Sequence, residues 1–138
     1  METITVTTVV GGNLEKVWQC WTEPTHIMVW NHASDDWECP RAKNNLTDGG
    51  TFSATMAAKD GSVSFDFAGT YTKIIPFQKI VYVLADNRKI IVTFEVVSET
   101  ETRVTEEFDP ETENTPERQQ EGWQAILNNF KQHIEAVN

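Results

Sequence analysis

Apolar and polar residues alternate over residues 2–10, with Ile4, Val6, Thr8 and Val10 on one side and Thr3, Thr5 and Thr7 on the other. A period of two in β-branched residues predicts a strand. Gly11-Gly12-Asn13 ends it, and Asn13 is placed to cap a helix over 14–22. In that helix Leu14, Val17, Trp18 and Trp21 recur at helical spacing, with Glu15 and Lys16 exposed. Pro24, at a first-turn position, opens a second short helix reaching about Trp30. From 31 to 48 the pattern weakens. Trp37 and Cys39 predict a short strand ending before Pro40, and Asn44-Asn45 and Asp48-Gly49-Gly50 read as turns.

Strands dominate residues 51–108. Residues 51–58 put Phe52, Ala54, Met56 and Ala58 on one face, and residues 63–75 do the same with Val63, Phe65, Phe67, Gly69 and Tyr71. Lys59-Asp60-Gly61-Ser62 between them is a hairpin turn. Pro76 breaks the second run. Residues 79–85 and 89–97 are apolar strands joined at Asp86-Asn87-Arg88, and residues 102–108 place Val104, Glu106 and Phe108 together. An acidic loop over 109–115 leads to Thr115-Pro116, a cap followed by proline at the first helical position. Trp123, Ile126, Leu127, Phe130, Ile134 and Val137 then trace one helical stripe, and the helix to about Val137 is about 33 Å long. Mid-strand Gly69 predicts a bend or close backbone approach, and Gly122 a close contact of the last helix.

This order predicts one α+β domain over 1–138: a curved antiparallel sheet of six to seven strands, two short helices and a long C-terminal helix packed across the sheet. One helix is narrower than such a sheet, so the sheet bends around it and space remains between them. No internal repeat or domain boundary is visible.

The net charge of −10 disfavours nucleic acid and anionic membrane as partners. No apolar run reaches the roughly 20 residues of a membrane helix, and the first residues do not form a signal peptide, so the cytoplasm is the expected compartment. Cys20 and Cys39 fit no paired motif, and Cys20 falls on the apolar face of its helix.

Several segments together resemble a known family. Val17-Trp18, Trp21-Thr22-Glu23-Pro24 and Trp30 resemble the opening of the START-like helix-grip superfamily, the birch-pollen-allergen-like fold. Gly49-Gly50-Thr51-Phe52, residues 56–62, Phe65-Asp66-Phe67-Ala68-Gly69-Thr70-Tyr71, Glu107-Phe108-Asp109-Pro110-Glu111 and residues 120–130 resemble a narrower family. It is named for the C-terminal domain of the activator of the ninety-kilodalton heat-shock-protein ATPase. The resemblance spans essentially the whole chain. It implies the helix-grip fold, binding of an apolar or aromatic small molecule, and a chaperone as alternative partner. It implies no catalytic residue set. The chain departs from the pattern at Gly11-Gly12-Asn13, where a small residue and a proline are common, at Thr47-Asp48, where an Arg often precedes the glycine pair, and at His133, where an aromatic, usually Tyr, is common.

The residues nominate a pocket. Trp30, Trp37, Phe52, Phe67, Tyr71, Tyr82, Phe94, Trp123, Leu127 and Phe130 are its candidate lining, each with plain core packing as the alternative. Alternation turns Glu106 toward the helix, where a carboxylate would be desolvated and its pKa raised. That describes an acid/base group or a ligand anchor, and Glu106 is the single catalytic candidate. The preferred reading is blander: a bulge turning Glu106 outward, or a pair with Arg103 or Arg88. His26, His32 and His133 show no metal-binding spacing, no phosphate loop is present, and no serine lies in a nucleophile elbow, so no cofactor or metal is expected. A small-molecule binding module is therefore the first expectation, an interaction protein of the stress response the second, and a cyclase or hydrolase using Glu106 or a tyrosine the third. Oligomeric state, monomer or homodimer, stays open.

Overall fold

The computed structural model describes residues 2–137. Its elements follow the predicted order: β1 (Ile4–Val10), α1 (Leu14–Thr22), α2 (Pro24–Trp30), β2 (Trp37–Asn44), β3 (Thr51–Ala58), β4 (Ser64–Ile75), β5 (Lys79–Leu84), β6 (Lys89–Ser98), β7 (Glu101–Phe108) and α3 (Pro116–Ala136). The seven strands form one antiparallel sheet in the order β1-β7-β6-β5-β4-β3-β2. It curls into a half-barrel around α3, an α+β helix-grip arrangement.

Local chemistry sets the boundaries. Asn13 Oδ1 accepts from the Lys16 N–H at 2.9 Å, and Thr115 Oγ1 accepts from the Arg118 N–H at 3.1 Å, each satisfying an otherwise unpaired N–H at a helix start. Gly61, at φ +80°, supplies the positive φ of the β3–β4 turn. Asn87, at φ 68°, does so for β5–β6, and Phe77, at φ 66°, follows Pro76 in the β4–β5 turn.

Three sequence expectations need correction. The strand at Trp37 does not end before Pro40 but continues to Asn44. β2 is an edge strand and its register shifts between Glu38 and Arg41, and a bulged edge tolerates a residue with no N–H. Gly122 makes no close contact, since a Cβ there would meet nothing within 4 Å. Val137 lies one residue past α3 and is exposed.

The curl has visible causes. Register shifts occur in β2, between Tyr71 and Lys73 in β4, and between Val96 and Ser98 in β6; such irregularities bend and twist a strand. Val6, Val10, Val92, Val104, Phe108, Leu127, Phe130 and Ile134 are almost wholly buried on the concave side. α3 also seals one sheet edge. Gln120 Nε2, Gln124 Nε2 and Lys131 Nζ donate to the carbonyls of Thr5, Thr7 and Val9 at 3.2, 3.2 and 2.7 Å. These alternate carbonyls face away from β7, so side chains of α3 occupy the acceptors that an added strand would use.

Candidate functional site

The concave face does not fill completely. A cavity of about 250 Å³ lies at the half of the sheet formed by β2 to β5, roofed by all three helices. Alternation builds the floor: Phe52, Ala54 and Met56 from β3, Phe65, Phe67 and Tyr71 from β4, Ile80 and Tyr82 from β5, and Glu106 from β7. Trp21 and Thr22 of α1, Ile27 and Trp30 of α2, and Trp123 and Ile126 of α3 close the top. Exposed Lys43 and Phe65 mark the side open to solvent.

The aromatic walls brace one another. Phe52 meets Tyr82 edge-on with centroids 4.7 Å apart, Phe67 meets Trp123 edge-on at 6.0 Å, and Trp123 stacks on Phe108 at 3.9 Å. Such pairs fix ring orientation beyond what burial alone provides. At one side, the Tyr71 hydroxyl donates to Asn44 Oδ1, and Asn44 Nδ2 donates to the Thr22 carbonyl at 2.7 Å. This chain ties β4 to β2 and α1 and satisfies its own polar atoms.

Glu106 is different. It pairs in regular register with Val6 and Val92, with no bulge at its position. Its side chain therefore stays on the inner face, 5 % exposed. Arg88 is engaged with Asp86 at 2.7 Å, and Arg103 is exposed on the opposite face. The preferred sequence reading, outward or paired, is thus corrected: the regular β1-β7-β6 ladder leaves Glu106 no way out. Among the described residues none hydrogen-bonds its carboxyl, and burial pushes its pKa up to about 8. The Tyr82 hydroxyl also makes no hydrogen bond among the described residues. Burial first, and the Glu106 charge second, hold its hydroxyl well above the ordinary phenol value. Both groups are therefore mainly protonated at neutral pH.

Of the sequence-nominated residues, Trp30, Phe52, Phe67, Tyr71, Tyr82, Glu106 and Trp123 come together on the cavity wall. Trp37, Phe94, Leu127 and Phe130 do not. Trp37 packs edge-on against Phe65 at 6.0 Å, Phe94 lies under Trp18 and Trp21, and Leu127 and Phe130 are core with no exposed surface. Sequence reasoning missed Trp21 and Met56, which it placed on a helix and a strand face without assigning those faces to the cavity, and Ile27, which it did not single out. It also missed Asn44, read as a turn residue. Gln119 was missed too: inside α3 and buried, it donates to the carbonyls of Glu111 and Asn114 and accepts from the Glu111 N–H, pinning the acidic loop.

Two of the histidines, distant in sequence, meet in space. His26 and His133 are 107 residues apart, yet His26 Nδ1 and His133 Nε2 lie 2.9 Å apart, with Cys20 Sγ close by. Motif spacing captures neighbours along one helix, whereas this group forms where three helices cross.

The comparisons with known proteins agree with this geometry. The family profile described as activator of Hsp90 ATPase homolog 1-like protein matches residues 12–135. A solution structure of a protein of that type from Aeromonas hydrophila is 41% identical, covers 98% of this chain and 93% of its own, and superposes with a TM-score of 0.90. The solution structure of Chr148 from Cytophaga hutchinsonii is 49% identical with the same coverages and a TM-score of 0.83. CV1439 from Chromobacterium violaceum, at 18% identity, 96% coverage of both chains and a TM-score of 0.84, shares the fold. No curated protein matches the chain. With the matched region running from the first glycine pair to the end of α3, the chain belongs to the activator of Hsp90 ATPase homolog 1-like family.

Proposed function

We propose that the chain binds a flat aromatic molecule of one or two rings, carrying a hydrogen-bond acceptor such as a ring nitrogen or a carbonyl oxygen. One observation carries this reading: Glu106, a residue 5 % exposed whose carboxyl makes no hydrogen bond among the described residues, stands on the wall of a cavity rich in aromatic and aliphatic side chains. Among the described residues no fully buried side-chain oxygen lacks a partner, so the Glu106 carboxyl reaches into the cavity space, where a ligand can supply its hydrogen bond. Protonated Glu106 and Tyr82 both donate, so the complementary ligand accepts. The volume of about 250 Å³ lies just under the roughly 300–1,000 Å³ of drug-sized sites, which favours a small planar occupant.

Titration followed by ¹⁵N NMR, comparing heteroaromatics with hydrocarbons of the same shape, tests the proposal. The heteroaromatic should bind about tenfold more tightly, equivalent to about 1.4 kcal/mol, and shift the Trp21, Trp30 and Trp123 indole signals. Glu106→Leu should erase the difference. Equal affinities, or shifts elsewhere on the chain, would refute the reading.

A second reading is association with an Hsp90-type chaperone. The family's description and the adjacent exposed side chains of Met28 and Val29 on α2 support it. Pull-down with the purified chaperone tests it, and Val29→Asp should abolish capture if that face docks.

A further inference from the structure

Cys20 of α1, His26 of α2 and His133 of α3 converge from three different helices, their ligand atoms all within 4.8 Å of one another. The two imidazoles present Nδ1 and Nε2 to each other at 2.9 Å, with ring centroids 5.1 Å apart. Cys20 is 1 % exposed, and both histidines are half-buried. On the other side of its ring, His26 Nε2 faces Glu23 Oε2 at 3.6 Å. The frame is held independently of these groups, because the Trp30 indole N–H donates to the Cys20 carbonyl at 3.0 Å and ties α2 to α1.

We infer that Cys20 Sγ, His26 Nδ1 and His133 Nε2 form a zinc site, with Glu23 orienting His26 through Nε2 and the fourth coordination position left to water or an external ligand. One thiolate and two imidazoles make a set of borderline-soft donors, which suits Zn²⁺ and not the oxygen-seeking Mg²⁺ or Ca²⁺. Tetrahedral geometry, with Zn–N near 2.05 Å and Zn–S near 2.3 Å, places nitrogens about 3.3 Å apart and sulfur about 3.6 Å from each nitrogen. The 2.9 Å imidazole contact therefore opens by a few tenths of an ångström, and the longest separation closes by about 1 Å. Side-chain torsions cover both changes. Glu23 Oε2, 3.6 Å from His26 Nε2, makes no hydrogen bond as it stands; a side-chain approach of several tenths of an ångström would let the carboxylate accept from the ring nitrogen that does not bind metal, keeping the proton there and the other nitrogen free. On binding, the Cys20 thiol loses its proton to solvent, the sulfur binds zinc, and both imidazoles stay neutral.

This site is separate from the Glu106 cavity, so the two proposals fail independently. The test is calorimetric titration of the reduced, metal-free full chain with Zn²⁺, with Co²⁺ as optical probe. One ion per chain is expected, together with release of one proton and a thiolate-to-cobalt charge-transfer band. His133→Phe keeps the ring volume and removes a ligand, and Cys20→Ala removes the sulfur. Both should lose the band and stoichiometric binding while circular dichroism stays native. Should Cys20→Ala not fold, His133→Phe decides alone. Glu23→Gln should keep the band and bind about tenfold more weakly. No cobalt band in the unaltered chain, or zinc binding unchanged in His133→Phe, would overturn the inference and leave an ordinary histidine–histidine hydrogen bond above a core thiol.

Discussion

The ring of Phe52 occupies the space that a side chain at Gly69 would need. A Cβ added at position 69 would stand 2.9 Å from Phe52 Cε1 and 2.7 Å from the Val83 carbonyl oxygen. Phe52 and Gly69 are directly paired across β3 and β4, so the missing side chain lets the ring lie over the backbone and face the cavity. Gly69→Ala should cost about 1–3 kcal/mol by overpacking, read by urea denaturation. Adding Phe52→Leu should recover only part of that loss, because the Val83 carbonyl is backbone and cannot retreat as a side chain can.

Glu106 should impose a pH dependence of definite sign. Its folded pKa of about 8 lies above the ordinary 4.5, so between these values the folded state holds a proton that the unfolded state has released. Stability from this group is fully present below about pH 4.5 and falls as pH rises toward and through 8, by a few kcal/mol in all. Glu106→Gln should remove that slope and be the more stable protein at pH 8. Parallel melting curves of the two proteins from pH 5 to 9 would contradict this account.

Ala54 offers a way to close the cavity. It is 5 % exposed and lies on the floor beside Phe67. Ala54→Leu should fill space without displacing a neighbour, leaving stability unchanged or raised by about 0.5–2 kcal/mol and abolishing aromatic binding. A loss above about 2 kcal/mol would mean that the space is already full.

Tyr71→Phe should separate a structural hydroxyl from a binding one. Without the hydroxyl, Asn44 Oδ1 loses its donor while Asn44 Nδ2 keeps the Thr22 carbonyl. The expected cost is about 1–2 kcal/mol in chemical denaturation with the denaturant slope unchanged. Ligand affinity should change less than in Glu106→Leu.

Most of the architecture was legible in the sequence because local signals and the global fold agree: alternation in the strands, Asn13 and Thr115 as caps, Gly61 in a hairpin turn. The errors arose where a distant partner decides. Pro40 reads as a strand end until β2 is known to be an edge. Glu106 was correctly assigned to the inner face by alternation, but the cost of burying a carboxylate argued against it, and only the regular pairing with Val6 and Val92 settles the matter. Phe94 and Phe67 both alternate inward, and which one borders open space depends on where α1 and α3 lie. Nothing local distinguishes His133 from a solvated histidine, since its neighbour His26 belongs to another helix.

The pairing of β1 with β7 also sets an order of events during synthesis. Ile4 meets Phe108, and the opposite edge of β1 waits for Gln120, Gln124 and Lys131. At roughly 5–20 residues per second, the first strand stays without its partner for about 5–20 s after it is made. Ile4–Val10 is β-branched and uncharged, the kind of segment that pairs readily with another copy of itself. For this chain the interval between making β1 and making α3 is the time of greatest exposure to aggregation, and slower translation before residue 108 lengthens it.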